Sequence, residues 1–412
     1  MDVVYPCCAG LDVHKETVAV CALWTGEKGR RQEEVRTFGT MTRDLLALSD
    51  WLASKGVTHV AMESTGVFWK PIFNILEGRF GVVLVNARHI KQVPGRKTDV
   101  KDCQWIAQLL QHGLVRGSFI PPLVLRQLRD LTRHRAQMVG EESRIANRVL
   151  KVLEDANIKL GSVASDALGV SGRAILKAIQ EGEERPDVLA DLARGRLRSK
   201  LPDLKAALEG RLTDHHRFLL RMLGQHLDYL EKVTAELDAR IEDLMRPFQA
   251  EADLLKTIPG VKDQVAAALV AEIGVDMSQF PTELHLSAWA GMCPGNNESA
   301  GKRKNGHITK GSRWLRRALS QAAWAASHTK NTYLSAQYRR LAGRRGKKRA
   351  IVAVGHTILV IAYHMLNRRQ PYQELGGDFF DRFRPEHLKR ALVRRLEKLG
   401  YEVELRPRED AA

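Results

Sequence analysis

The stretch VVYPCCAGLDVHKETVAVCALW, residues 3–24, contains two strand-like segments and decides the fold class of the first part of the chain. Residues 3–13 and 17–24 are rich in apolar and β-branched residues, and a short polar segment separates them. Such segments form β-strands, and strands this close along the chain pair antiparallel. The chain is therefore predicted to begin with a hairpin.

The residues that follow extend this hairpin into a larger sheet. Residues 33–38 can supply a third strand, and the short apolar runs 57–62 and 81–85 supply two more. Helical spacing in residues 42–54 and 70–76 predicts helices between these later strands. A hairpin followed by strands that alternate with helices predicts an α/β domain, with a mixed sheet and covering helices.

Two long amphipathic segments follow Pro121 and Pro122. Apolar residues recur every three or four positions through residues 125–153 and again through residues 219–244. This spacing predicts two long helices, with a basic helical region between them. The pair can form a coiled coil, within one chain or between chains, or the core of a helical bundle.

A mainly α region is predicted from near Asp253 onwards. Residues 255–261, LKTIPGV, predict the end of a helix and a tight Pro-Gly turn, and residues 264–273 predict a second helix. A helix N-terminus at such a turn can offer backbone N–H groups to a phosphate. A Pro-Gly turn between helices is also often only a turn, so DNA contact here is one of two interpretations.

The charge of the chain predicts a polyanionic partner. The 412 residues carry a formal net charge of +17, and the hydrophobic share of 44% is that of an ordinary globular protein. An excess of Lys and Arg attracts nucleic acid or an anionic membrane surface. We expect no membrane partner, because we find neither an apolar run of about 20 residues nor a secretory signal.

The positive charge is concentrated in residues 300–349, which contain 15 Lys and Arg and no Asp or Glu. A solvated helical surface normally mixes both signs, so this block predicts contact with nucleic acid. Four aromatic residues are interleaved with it: Trp314, Trp324, Tyr333 and Tyr338. They can stack on bases; we expect instead that the Trp residues pack in the core while the Arg residues hold phosphates.

The cysteines predict a reducing compartment. The chain has five cysteines and 14 histidines, with no Cys-x-x-Cys pair and no Cys/His cluster at zinc spacing. An odd number without a regular framework is typical of reduced thiols in a cytoplasm. A structural zinc site is not expected.

Four acidic residues stand where α/β folds build their sites. Asp12 ends the first predicted strand, in GLDVHK, and Glu63 directly follows the strand 57–62, in MESTG. Asp99 and Asp102 lie in KTDVKD, at a predicted helix start that Thr98 can cap. Residues at i and i+3 share a helix face, so both carboxylates can point at one spot. Strand ends and a helix start at one sheet edge predict a cluster.

A cluster of carboxylates is suited to phosphoryl transfer with Mg²⁺. This hard cation prefers carboxylate oxygens and keeps waters and substrate phosphates as its other ligands. Two such ions about 4 Å apart can activate a nucleophile and stabilise the leaving oxygen. The residues by themselves leave simpler readings open: Asp99 and Asp102 as helix-stabilising acids, Asp12 as a turn residue, and Glu63 as a surface charge.

Several long blocks of this sequence resemble one family. GLDVHK, MESTG and NARHIKQVPGRKTDVKDCQWIAQLL look like the N-terminal domain of the DEDD transposases of bacterial insertion sequences. IPGV and CPGNNESAGKRKNGHITKGSRWLRRAL resemble the C-terminal transposase domain of that family. The resemblance implies an RNase H-like fold, similar to the RuvC resolvase, for the N-terminal domain. It also implies that Asp12, Glu63, Asp99 and Asp102 bind the metal, which is Mg²⁺ with Mn²⁺ as the alternative.

The resemblance further implies a serine nucleophile in the C-terminal domain. The position falls on Ser299, in a loop that we expect to be flexible, and Ser312 is the alternative because Ala300 separates Ser299 from Gly301. Attack by Ser299 on phosphorus would give a covalent phosphoserine and conserve the bond energy for rejoining. The basic residues expected to hold nucleic acid share this region: Lys302, Arg303, Lys304, Lys310, Arg313, Arg316 and Arg317.

The implied organisation has four segments: a RuvC-like catalytic domain in residues 1–120, long central helices in 121–250, a mainly α transposase domain in 251–370, and a tail in 371–412. The implied partners are donor and target DNA, a structured non-coding guide RNA, and further copies of the chain in a tetramer. A basic protein in the cytoplasm is expected to associate with the nucleoid.

Three functions remain open from the sequence. The first is a Mg²⁺-dependent DNA recombinase that uses Ser299. The second is a metal-dependent, structure-specific nuclease of the junction-resolvase type, which uses water and forms no covalent adduct. The third is a non-catalytic nucleic-acid-binding protein, in which all four acids could be neutralised without loss of function.

Overall fold

A computed structural model shows that the chain folds into two compact units, Met1–Pro121 and Pro122–Ala412. The structure describes residues 2–26, 31–64, 66–85, 102–115, 117–293, 297–299, 302–305, 308, 310–383 and 385–406. The finer division of the chain into four segments stays a prediction.

The first unit contains a five-stranded mixed sheet. Its strands are β1 (Cys8–Val13), β2 (Thr17–Thr25), β3 (Arg31–Gly39), β4 (His59–Glu63) and β5 (Gly81–Val85). Their order in the sheet is β3-β2-β1-β4-β5. Strands β1, β2 and β3 pair antiparallel, whereas β4 and β5 run parallel to β1. The mixed sheet confirms the sequence prediction, and its arrangement is compatible with an RNase H-like domain.

Helices cover both faces of this sheet. They are α1 (Thr42–Ser54), α2 (Trp69–Leu76) and α3 (Asp102–Gln111). Because side chains alternate along a strand, β1 contributes Leu11 and Val13 to one apolar cluster, with Leu48 of α1 and Ile72 of α2. Strand β1 contributes Cys8 to a second cluster on the opposite face, together with helix α3. The unit therefore has a helix–sheet–helix order of layers.

The first strand is shorter than predicted. Val3 and Val4 are about half exposed, at 52% and 54%, and the backbone N–H groups of Val4 and Tyr5 both donate to the carbonyl oxygen of Gln111. Pro6 lacks a backbone N–H group and cannot continue a strand ladder. The residues before it therefore cover the end of α3 instead of extending β1.

The second unit is helical and begins with two long helices, α4 (Leu123–Asp155) and, after four shorter helices, α9 (Asp214–Met245). The shorter helices are α5 (Leu160–Val163), α6 (Val170–Gln180), α7 (Pro186–Asp191) and α8 (Leu201–Leu208). Helices α4 and α9 run antiparallel: early in α4 the Arg135 side chain binds Asp238, and at its end Asp155 binds His216. All six helices contribute to one apolar core, as in a helical bundle within one chain.

The rest of the second unit is also mainly helical. Its described elements are α10 (Gln249–Lys256), α11 (Asp263–Ile273), α12 (Glu283–Trp289), β6 (Asn297–Ser299), β7 (Lys302–Asn305), α13 (Arg313–His328), α14 (Tyr333–Arg345), α15 (Lys347–Arg368), α16 (Phe379–Phe383) and α17 (Pro385–Glu397). Short 3-10 turns occur at Gly195–Lys200, Arg246–Phe248 and Met277–Gln279.

Helix α15 corrects the expectation that no apolar run long enough to cross a bilayer exists. By length and composition alone this helix of 22 residues passes that test. Half of its apolar stretch is nevertheless buried inside the protein, with Val354, Ile358 and Ala362 completely inaccessible to solvent. This burial is typical of the core helix of a globular unit.

The predicted Pro-Gly turn joins α10 to α11 and packs directly on helix α13. Gly260 has a φ of +88°, and a Cβ atom at this position would lie 2.3 Å from the carbonyl oxygen of Ala322. Ile258 and Val261 on either side are buried. The close approach of two backbones explains why glycine stands here. A phosphate contact at this turn stays a prediction.

Candidate active site

Asp12 and Glu63 lie side by side at one edge of the sheet. The last pair in the parallel register between β1 and β4 is Leu11 with Met62, and the two acids come next on their strands. Leu11 and Met62 point into the cluster with α1 and α2. Because side chains alternate, Asp12 and Glu63 point to the opposite face, which helix α3 covers.

Helix α3 brings Asp102 towards the same edge. The thiol of Cys8 contacts the carbonyl oxygen of Ala107 at 3.7 Å, and further along β1 a Cβ atom on Gly10 would lie only 2.3 Å from the carbonyl oxygen of Cys103. The helix therefore runs antiparallel to β1, and its first residue, Asp102, lies towards the strand end that carries Asp12. The absence of a side chain at Gly10 allows this close packing.

The three described acids lie at this edge, but their side chains do not form a tight cluster. Asp12 contacts His14, whose Nε2 lies 3.1 Å from Oδ2 of Asp12. The side chains of Asp12 and His14 are 23% and 63% exposed. Within the described ranges, no three Asp, Glu, His or Cys side chains are close enough to hold one ion. Asp99 lies outside the described residues.

The donor atoms at this edge nevertheless fit a hard divalent cation. Asp12, Glu63 and Asp102 offer only carboxylate oxygens, which are the ligands that Mg²⁺ and Mn²⁺ prefer. Asp12 and Glu63 are half-buried and Asp102 is exposed, so a substrate phosphate can reach them. This edge can therefore combine protein carboxylates with ligands from the substrate.

Ser299 lies in the second unit, at the end of strand β6. Its backbone pairs with Lys302 in the antiparallel hairpin of β6 and β7. The expectation of a loop is therefore wrong for Ser299 itself, because the hairpin gives this residue a paired backbone. Three of the predicted phosphate-binding residues, Lys302, Arg303 and Lys304, lie along β7.

Ser312, the alternative serine, has a structural role at the start of α13. Its hydroxyl oxygen accepts a hydrogen bond from the backbone N–H of Leu315, which caps the helix. The same hydroxyl donates to Oε2 of Glu272, at 3.0 Å. Both hydrogen-bonding functions of this hydroxyl are thus used within the protein.

Glu272 is the centre of a buried polar cluster that the sequence analysis missed. Its side chain is 2% exposed, and Arg133 binds its two carboxylate oxygens at 2.7 and 2.9 Å. Arg129 donates to the backbone carbonyl oxygens of Ala271 and Glu272 at the end of α11. Burial lowers the pKa of Arg129, and the Glu272 carboxylate opposes this change. One acid in the apolar run VAAALVAEIGV was the signal that could have indicated this cluster.

The remaining predicted basic residues differ in their freedom to bind a ligand. Lys310 and Arg313 are exposed, and the Arg313 guanidinium lies 4.5 Å from the ring centre of Trp314. Arg316 and Arg317 are half-buried. Nη1 of Arg317 donates to the carbonyl oxygen of Ala136, at 2.7 Å, so this arginine holds α13 against α4.

The expected burial of the Trp residues is wrong for Trp324, which is 54% exposed. Helix α13 turns four of its five alanines to the interior, and Ala322 and Ala326 meet the Pro-Gly turn at Gly260. Trp324 projects from the other side and packs on His328, with 4.7 Å between ring centres. The helix packs against the interior through its alanine face, and Trp324 faces solvent.

A cavity of about 620 Å³ opens between helices α4, α9, α10, α11 and α13. Its walls include four cationic side chains, Arg133, Arg135, Lys256 and Arg317, and four acidic ones, Asp238, Glu242, Asp263 and Glu272. Equal numbers of both signs give little net attraction for a polyanion. The excess positive charge of the chain therefore lies elsewhere.

Comparison with known proteins agrees with this arrangement. A profile of DEDD transposases of the IS110 family matches residues 9–158, which include all four candidate acids. A second profile, described as transposase of the IS116/IS110/IS902 family, matches residues 252–339, which include both candidate serines. Together the two profiles cover more than half of the chain, and the first of them extends past the first unit to residue 158.

The chain belongs to the IS110 family of transposases. The transposase for insertion sequence element IS1111A of Coxiella burnetii is 27% identical over 295 residues, which span 70% of this chain and 72% of that protein. An uncharacterised 43.6 kDa protein of insertion element IS110 from Streptomyces coelicolor is 26% identical over 269 residues, or 59% of this chain and 65% of that protein.

Membership of the IS110 family defines the general class of activity. It supports a DNA-processing enzyme of an insertion sequence and implies that the chain binds DNA. The DEDD profile also suggests the use of a divalent metal ion.

Proposed function

We propose that this transposase excises and integrates its insertion sequence by DNA strand exchange, with Asp12, Glu63, Asp99 and Asp102 binding Mg²⁺ or Mn²⁺. One observation carries the proposal: Asp12 and Glu63 directly follow the register pair Leu11–Met62 at the edge where α3 begins with Asp102. A bound divalent ion would polarise the scissile phosphate and stabilise developing negative charge. The carboxylates provide oxygen ligands for the ion at this edge, which a substrate phosphate can reach.

Ser299 is the proposed nucleophile. Its hydroxyl oxygen forms a bond to phosphorus while the bond from phosphorus to a DNA sugar oxygen breaks. The serine proton is lost, and the released strand end leaves as a hydroxyl group after taking up a proton. Attack by the hydroxyl end of another strand on the phosphoserine reverses these changes, rejoins DNA and restores the serine.

The hydrogen bonds of Ser312 support this choice between the two serines. A hydroxyl that donates to Glu272 and accepts from Leu315 has a structural function that any nucleophilic role would disrupt. We therefore assign Ser312 a structural role. Lys302, Arg303 and Lys304 follow Ser299 on the paired strand and are proposed to hold the scissile phosphate.

The proposed partners follow from the charge and the family. Donor and target DNA are the substrates, and a structured non-coding RNA is proposed to select them by base pairing. A net charge of +17 suits recognition of nucleic-acid backbones. We propose a tetramer as the active assembly and the cytoplasm, at the nucleoid, as its location.

A plasmid assay that scores excision and rejoining tests this function. Wild-type protein is expected to excise and integrate the element and to leave a protein–DNA adduct that denaturing gels detect. Ser299→Ala is expected to lose both products and still bind DNA. Cleavage by wild type without any adduct would instead support a metal-dependent nuclease that uses water.

A further inference from the structure

Five exposed cations surround the junction between helices α14 and α15. We define the basic corner as residues 344–349, RRGKKR, which contain Arg344, Arg345, Lys347, Lys348 and Arg349. In the described part of the chain, none of the five side chains takes part in an ion pair or a hydrogen bond. Other exposed arginines of this unit do have acidic partners, as Arg173 has Glu231. The charge of the corner is therefore uncompensated.

Helix dipoles explain only part of this corner. Arg344 and Arg345 lie in the last turn of α14, where the negative end of the helix dipole favours cations. Lys347, Lys348 and Arg349 lie in the first turn of α15, whose N-cap, Gly346, provides no side-chain hydrogen bond. The positive end of a dipole disfavours cations. Stability of the fold thus accounts for the two arginines and opposes the three residues after Gly346.

The composition of the corner indicates what it contacts. Residues 341–352, LAGRRGKKRAIV, contain no aromatic side chain and no Ser, Thr, Asn or Gln. Single-stranded nucleic acid is usually held by stacking on aromatic rings, and RNA by such stacking and by hydrogen bonds to 2′-hydroxyls. A surface that offers cationic groups without aromatic rings or short polar side chains is suited to the phosphates of a double helix.

We propose that the basic corner is a contact site for the phosphate backbone of duplex DNA, formed by Lys347, Lys348 and Arg349 with Arg344 and Arg345. This proposal rests on the proposed function, because it takes DNA as the substrate. It adds a site outside Lys302 to Arg317, where Arg317 already binds the Ala136 carbonyl. Contact with phosphates also offsets the repulsion among the five cations.

Binding of a short DNA duplex of arbitrary sequence to the full-length chain, followed by fluorescence anisotropy over a range of salt, tests the proposal. The test variant combines Lys347→Gln, Lys348→Gln and Arg349→Gln. We expect affinity to fall about tenfold or more at 0.1 M salt, and the salt slope to decrease by about 2.7, or 0.9 for each lost phosphate contact. The Tm is expected to stay equal or rise, because cations leave a helix N-terminus.

A matched control removes the same charge elsewhere. Lys159, Arg185 and Lys205 are exposed and pair with Glu154, Glu183 and Asp187, so their replacement by Gln is expected to change affinity by no more than about twofold, as for paired surface charges. Lys347→Arg with Lys348→Arg keeps the charge and is expected to keep wild-type affinity.

Several results would overturn the proposal. The first is unchanged affinity and salt slope in the triple variant. The second is a fall in Tm that accompanies the loss of binding. The third is a loss of affinity for an RNA duplex of the same sequence without a loss of affinity for the DNA duplex. A wild-type chain that binds no DNA duplex would contradict the proposed function itself. If only the proposal for the basic corner fails, wild type and the triple variant both bind the DNA duplex, with equal affinity.

Discussion

The hydroxyl group of Ser312 donates a hydrogen bond to the buried carboxylate of Glu272, with 3.0 Å between Oγ and Oε2. This bond connects the start of α13 to the end of α11, and Arg133 on α4 binds the same carboxylate. Three helices of the second unit thus meet at one acid. The two candidate serines, Ser299 and Ser312, are consequently expected to respond differently to mutation.

Ser312→Ala is expected to lower the free energy of unfolding by about 1 kcal/mol, because it removes a helix cap, while excision activity persists in the folded fraction. Ser299→Ala is expected to abolish excision and leave the unfolding midpoint unchanged. Denaturant titration and the plasmid excision assay measure both effects. Normal excision by Ser299→Ala would exclude it as the nucleophile.

Glu272→Ala is expected to be more damaging than any of the surface ion-pair mutations. Removal of a carboxylate with 2% exposure leaves Arg133 without its bidentate partner, and breaking such a pair costs about 3 kcal/mol. Glu231→Ala, which breaks an exposed pair with Arg173, is the control and should cost less than about 1 kcal/mol. Equal losses in urea denaturation would contradict a central role for Glu272.

Gly10→Ala is expected to separate α3 from the sheet. The new Cβ atom would lie 2.3 Å from backbone atoms of Cys103 and Ala107, and overpacking of this kind costs about 1–3 kcal/mol. Activity should fall as well, because α3 carries Asp102. Gly78→Ala, where a Cβ atom meets nothing within 4 Å, is the control. A Gly10→Ala protein with wild-type Tm and activity would show that α3 need not lie so close.

The five cysteines are expected to divide into two reactivity classes. Cys8, Cys21 and Cys103 are buried, whereas Cys7 and Cys293 are half-exposed. Burial raises the pKa of Cys8 to about 12 and also raises the pKa of Cys21. Because the thiolate is the reactive form, iodoacetamide at pH 8 should label the buried thiols only after denaturation, as peptide mass spectrometry can measure. Labelling of Cys8 in the native state would contradict the burial of this strand.

Much of the first unit could be predicted because its local signals agree. Alternation and β-branched residues predicted all five strands, and the helix Thr42–Ser54 has the predicted bounds. The predicted start of β1 was wrong because Val4 and Tyr5 bond to Gln111, which lies 107 and 106 positions further along the chain. The position of Asp12 and Glu63 at one edge followed from the rule that parallel strands end together.

The second unit shows what local patterns leave undetermined. Trp324 was expected in the core, but the alanine face of α13 buries the helix and directs this ring to solvent. Glu272 escaped notice because a buried acid is explained only by its partners on α4 and α13, which are distant in sequence. The contrast between the two serines likewise depends on tertiary contacts.

The carboxylates at the ends of β1 and β4 and at the start of α3 are proposed to support strand exchange through a divalent ion. Strand cleavage by Asp12→Asn with Mg²⁺ and with Mn²⁺ tests this claim most directly, with Asp50→Asn as the control. Asp50 is exposed on α1, which covers the opposite face of the sheet, and pairs only with Arg79 among the described residues. We predict no cleavage by Asp12→Asn and a normal rate for Asp50→Asn. Cleavage by Asp12→Asn at the wild-type rate would contradict the claim.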